Sequence, residues 1–195
     1  MSVGLLADRS RRIALVSLFA VIIFLSKSIL PPPSDDAFVF VQVTLLLLSA
    51  FLMGAPGATY VSTLGGVLKS LTTGSFAPFT VGLAVLYGLM VDGFVVLFRA
   101  RPKGRGVSYP RVVGAAALST ALEGLIGYFV TVPIFQLAIP SNLVIDASIL
   151  IGGTLSGIIG GWLAAFVWKR YLFPKPANTP AEEERKAIPA MTKDK

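Results

Sequence analysis

GAPGATYVSTLGGVLKSLTTGSFAPFTVGLAVLYGLMVDGFVVLF, residues 54–98, is the stretch that decides the fold class. It reads as two apolar helices joined by a short polar loop at 72–78, rich in Thr, Gly, Ser, Phe and Pro. The first helix carries Lys69 near its end and the second carries Asp92. A charged side chain at the centre of a membrane helix costs about 2.5 to 3.5 kcal/mol on insertion scales. Such residues face a bundle interior and mark substrate or ion paths, so this stretch predicts a polytopic membrane protein that binds something.

The rest of the composition agrees. Of 195 residues, 54% are hydrophobic and 14% charged, with a mean hydropathy of +0.78. A soluble domain carries about 25% charged residues. No water-facing surface can be built from this composition without large apolar patches, so lipid must cover much of it. Cysteine and histidine are both absent. That removes disulfides, thiolate chemistry, imidazole bases and the commonest zinc ligands. With no nucleophile–base or metal-ligand cluster, the chain is not expected to be an enzyme or to need a cofactor or metal.

From the N-terminus, a basic tail at 1–12 precedes a first helix over 13–30, which Pro31, Pro32 and Pro33 end because proline lacks the amide hydrogen a helix needs. A second helix is expected over 38–53, short for a span of about 20 residues. Gly54-Ala55-Pro56-Gly57 forms a tight turn. The third helix, 58–71, is the weakest span, with Gly65-Gly66 inside it; it is expected to be buried, tilted or partly re-entrant. A fourth follows over 79–98, a fifth over 112–132 that Pro133 stops, and a sixth over 147–171 that Asp146 is placed to cap. Residues 134–146 form an outer loop, and the Pro-, Glu- and Lys-rich segment 173–195 is expected to be disordered.

Charge placement supplies the topology. The net charge is +7, and Arg9, Arg11 and Arg12, then Arg99, Arg101, Lys103, Arg105 and Arg111, then the bases from Lys169 onward make up 15 of the 17 basic residues. Six spans put all three clusters and both termini on one side, the cytoplasmic one by the positive-inside rule, whereas five spans would place one cluster outside. Beside membrane spans, this basic excess reads as attraction to anionic lipid and not to nucleic acid.

Small residues mark packing faces. In the sixth helix Gly153, Gly157, Gly161 and Ala165 recur every four residues, beside a parallel row of Gly152, Ser156, Gly160 and Ala164. Such rows let two backbones approach closely, either inside the bundle or against another subunit. Ala14, Ser17 and Ala20 mark a weaker face on the first helix, and Gly114, Ala117, Ala121 and Gly124 one on the fifth.

Glu123, near the middle of the fifth helix, is the deepest carboxylate and must be paired, hydrogen-bonded or protonated. It reads as a ligand contact or proton site, or as part of a structural pair. Asp92 reads as structural, paired with a nearby base or with backbone. Lys69 can snorkel to the interface, reach an anionic ligand group or pair with Glu123. Gln42, Tyr87, Tyr128, Gln136 and Asn142 sit at plausible outer-half depth, where aromatic walls with a few polar groups suit a small planar ligand. Trp162 and Trp168 read as packing and interfacial residues.

The size, six spans, glycine-rich later helices and the strings APGAT, LGGVLKSL, GSFAPF and LYGLMVDG between Met53 and Phe98 resemble the substrate-binding S component of an energy-coupling factor (ECF) transporter, over about residues 9–172. The style is similar to members that handle thiamin precursors or other vitamins. The resemblance implies a partner transmembrane subunit, two cytoplasmic ATPases, and uptake of a small vitamin-like molecule bound at the outer side. It implies a pocket built from the outer loops and the outer halves of the fourth to sixth helices. The matching regions here are 31–37, 72–78 and 134–146 with the adjoining helices, where Glu123 and Lys69 are expected to provide polar recognition, with Tyr87, Tyr128, Asn142 and Gln42 in support. The family docks through Ala-x-x-x-Ala on its first helix, whereas Ala14, Ser17 and Ala20 here are spaced by three. No ATP-binding Gly-x-x-x-x-Gly-Lys-Ser/Thr occurs in the chain, in keeping with ATPases on other subunits. Two other readings stand beside this one: a self-sufficient proton-linked carrier or channel using Glu123, and a non-transporting scaffold using the glycine rows of the sixth helix.

Overall fold

The computed structural model describes residues 3–28, 38–73, 77–102, 106–134 and 143–172. Every regular element among them is a helix: α1 (Val3–Ser28), α2 (Val39–Met53), α3 (Gly57–Thr73), α4 (Ala77–Leu97), α5 (Tyr109–Ile134) and α6 (Leu143–Val167), which closes in a single π-helical turn, Trp168–Leu172. Three of these helices, over Ala77–Leu97, Tyr109–Val130 and Leu150–Leu172, are long and apolar enough to cross a membrane. The protein is therefore all-helical and reads as an integral membrane protein.

The helix bounds differ from expectation for local reasons. α1 begins at Val3, so Arg9, Arg11 and Arg12 lie on its early turns and not on a separate tail. α3 is one continuous helix of 17 residues through Gly65-Gly66, longer than the expected 58–71. Pro78 and Pro110 lie in the first turns of α4 and α5, where an amide hydrogen has no helical partner to lose. α6 starts at Leu143, so Asp146 falls inside its first turn instead of preceding it as a cap. The loop 31–37, Gln136 and Asn142 in the 134–146 connection, and the 173–195 tail lie outside the described residues.

α2 is the hub. It packs against all five other helices, and Val43, Leu46, Leu47 and Ala50 on it are essentially without exposure. A helix apolar on every side belongs in a core, and this one needs no lipid-facing stripe. Around it α3 pairs with α1 and α4, α4 with α5, and α5 with α6, which returns to α2. The core continues through Val61, Tyr87, Val91, Val95, Val112 and Trp168, whose indole meets Phe51 edge-on at 5.4 Å. The outer faces carry Ile13, Leu18 and Val21 on α1, Leu89 and Val96 on α4, and Ile151, Leu155 and Ile159 on α6. Exposed aliphatic faces of this extent suit lipid.

Two antiparallel pairs are knitted through small residues. A Cβ at Gly157 would lie 2.5 Å from the Ala117 Cα, and one at Gly161 2.9 Å from the Val113 Cα, so this row of α6 lies directly on α5. Gly160 of the parallel row faces α2 instead, where an added Cβ would lie 2.8 Å from the Phe40 carbonyl oxygen. In the other pair, Gly88 of α4 faces Thr59 and Ser62 of α3, and Gly66 of α3 faces Ala84 of α4. The α2–α3 turn depends on Gly54, whose φ of 76° an L side chain rarely adopts.

Candidate functional site

The contacts around Gly160 set the depth of α2. Phe40 and Val43, in the first turns of α2, lie beside Gly160, which is in the last third of α6. Thr44 Oγ1 donates its one proton to the Phe40 carbonyl at 2.7 Å, with the Gly160 carbonyl a second, more distant acceptor within reach at 3.2 Å. With 15 residues, α2 is about 22 Å long at 1.5 Å per residue, against about 37 Å for the 25 residues of α6. The central helix therefore fills only the half of the bundle nearer the 98–108 loop. Beyond its head, among the described residues, α3, α4, α5 and α6 continue without it.

The sequence-derived polar residues gather at and beyond that head. Gln42 lies in the first turns of α2 with 7% exposure. Tyr87 of α4 is 2% exposed, and its hydroxyl stands 3.3 Å from Thr120 Oγ1 on α5. Thr120 gives its one proton to the Ala116 carbonyl at 2.8 Å, so Tyr87 is the donor in the Tyr87–Thr120 pair. Glu123, one turn along α5 from Thr120, is half-buried. Lys69 is half-buried in the second half of α3. Tyr128, further along α5, packs edge-on against Phe129 at 5.4 Å, and its buried hydroxyl has no hydrogen-bond partner among the described residues.

Tyr87 and Thr120 thus link α4 to α5, with Glu123 one helical turn further along α5. Lys69 on α3 and Tyr128 further along α5 share the same half of the bundle, and Gln42 stands at the head of α2 below them. Thr120, which completes the Tyr87 contact, was not singled out from sequence, because one threonine in an apolar helix carries no distinguishing pattern. Among the described residues, no three His, Cys, Asp or Glu side chains come together to hold a metal.

Asp92 is committed elsewhere. Its carboxylate accepts from the Thr59 amide at 2.8 Å, the Thr59 hydroxyl at 2.7 Å and the Ala58 amide at 3.3 Å. It caps the N-terminus of α3 from a neighbouring helix, satisfying amides that have no helical acceptor and meeting the positive end of the helix dipole. Of the small residues on α1, Ala20 is buried in the region of Gly65 of α3, whereas Ala14 and Ser17 are exposed. Trp162 is exposed and stacks on Phe166 at 5.5 Å.

No family model matches the chain, and no curated protein or solved structure matches it.

Proposed function

We propose that the chain is the substrate-binding subunit of an ECF-type uptake system. It crosses the cell membrane six times with both termini in the cytoplasm, and it holds a small vitamin-like molecule in the half of the bundle beyond the head of α2. Transport would be driven by a separate transmembrane coupling subunit and two ATPases. Support comes from the short central helix, from the polar residues clustered beyond it, and from the exposed Ala14 and Ser17 on an apolar face of α1.

The observation that carries this reading is the Tyr128 hydroxyl, buried without a partner among the described residues. An unsatisfied buried hydroxyl costs about 1 to 3 kcal/mol, a cost that a ligand acceptor removes when it binds. Tyr128→Phe separates the two states by sign. Without ligand the variant is expected to be more stable than the parent by about 1 kcal/mol or more, read from thermal unfolding in detergent. Its hold on the small molecule that co-purifies with the parent, identified by mass spectrometry, is expected to fall by up to about tenfold. A parent that carries no small molecule through mild purification, or a variant that binds it equally well, would defeat the reading.

Glu123, half-buried at mid-helix beside the Tyr87–Thr120 pair, also favours a second reading as a proton-linked carrier. Uptake by the isolated chain in liposomes under a proton gradient would select that reading, and co-purification with an ATPase pair the first.

A further inference from the structure

The opposite end of the bundle holds a cleft of about 210 Å³ between the end of α4 and the start of α5, lined by Arg99, Arg101, Gly106, Ser108 and Arg111. Three of the five lining residues are arginines, and no carboxylate is among the described residues that line it. The nearest acid along α4, Asp92, is buried and spent on the N-terminus of α3.

The backbone contributes too. Arg99 has φ 50°, the left-handed conformation that non-glycine residues rarely adopt. The Arg99 amide donates to the Val96 carbonyl at 3.0 Å and the Ala100 amide to the Val95 carbonyl at 2.9 Å. This is the Schellman closure of a helix, and its left-handed position is usually glycine. An arginine there accepts conformational strain, and it is one of the residues that line the cleft. Ser108 immediately precedes α5, its carbonyl accepting from the Val112 amide at 3.1 Å. The free amides of a helix start add a donor-rich, positive boundary.

We propose that this cleft binds a phosphate group. Guanidinium forks fit phosphate oxygens in pairs, and three of them match a tetrahedral anion better than a planar carboxylate. The cleft lies where two membrane-crossing helices leave the apolar zone, the depth at which phospholipid headgroups carry their phosphates. The phosphate comes either from an anionic lipid headgroup or from a free phosphate compound. The proposal does not depend on what the other end of the bundle binds.

The test uses the full chain in detergent, with Arg111→Gln and Arg99→Gly as cleft variants and Arg170→Gln as a control at an exposed base outside the cleft lining. Arg99→Gly removes the left-handed strain and is expected to fold at least as well as the parent. Phosphatidylglycerol and phosphatidylcholine are offered in equal amounts, and retention is read by native mass spectrometry. Inorganic phosphate is titrated separately by calorimetry. Each cleft variant is expected to lose at least about tenfold in anion binding, as loss of a charge-assisted contact to phosphate implies. The control is expected to lose no more than the roughly fivefold that one surface charge supplies. Preference for phosphatidylglycerol without phosphate binding identifies a lipid headgroup, and phosphate binding without lipid preference identifies a free phosphate compound. Equal losses in all three variants would reduce the cleft to diffuse positive charge, and a parent that binds neither probe would overturn the proposal outright.

Discussion

At the scale of single residues, the same side chain type does different work according to what backbone it can reach. Asp92 and Glu123 are both carboxylates inside apolar helices, and sequence alone separates them only by depth. Asp92 finds the start of α3, more than thirty positions upstream, and accepts from Ala58 and Thr59. Asp92→Ala removes every acceptor and leaves two amides and a hydroxyl without the carboxylate they donate to. The expected loss is about 2 to 3 kcal/mol, measured by thermal or SDS-driven unfolding in detergent. Asp92→Asn keeps one acceptor and should lose about 1 kcal/mol, between parent and alanine. If alanine and parent unfold alike, the cap contributes nothing. The expectation that Asp92 is structural could be formed from sequence, because a base or free backbone had to be near. Which backbone it met could not, since that depends on how closely Gly88 lets α4 approach Thr59 and Ser62.

Among the helices, small residues fix which pairs form. The four-residue rows in α6 are visible in sequence because side-chain size alone defines them. Their division is not: Gly157 and Gly161 meet α5, Gly160 meets α2, and Gly152 has nothing within 4 Å. This predicts opposite signs for one substitution. Gly157→Ala drives a methyl into the backbone of Ala117 and should destabilise by about 1 to 3 kcal/mol. Gly152→Ala meets open space and should be neutral or stabilising by up to about 1 kcal/mol, the helix-propensity difference between the two residues. Unfolding of both variants in the same detergent gives the comparison, and equal effects would remove the distinction between the rows. The role of α2 was the least legible. Its 15 residues suggest a marginal span, yet shortness is what allows a helix to sit at the centre without reaching both surfaces. A run such as LLLLSAFLM has the same composition whether it faces lipid or five neighbours, so periodicity cannot tell the two apart.

For the molecule as a whole, the physical question is which half faces which side of the membrane. One half holds the core around α2, the Asp92 cap and the arginine cleft. The other holds Glu123, Lys69 and Tyr128 beyond the head of α2, with Gln42 at that head. The two halves differ in charge, and the basic one is expected to remain cytoplasmic because translocating arginines is opposed. That orientation puts the polar half toward the exterior, where an uptake protein meets its substrate. The chain has no cysteine, so a single introduced thiol reports its own side without background. Arg101→Cys, at the exposed end of α4, should react with a membrane-impermeant maleimide only after the cells are opened. Thr72→Cys, at the exposed end of α3, should react in intact cells. An odd number of crossings between α1 and α4 would exchange the two results. Reaction of Arg101→Cys from outside would put the cleft in the exterior leaflet, and the polar half would then open to the cytoplasm, leaving no route for capture from outside.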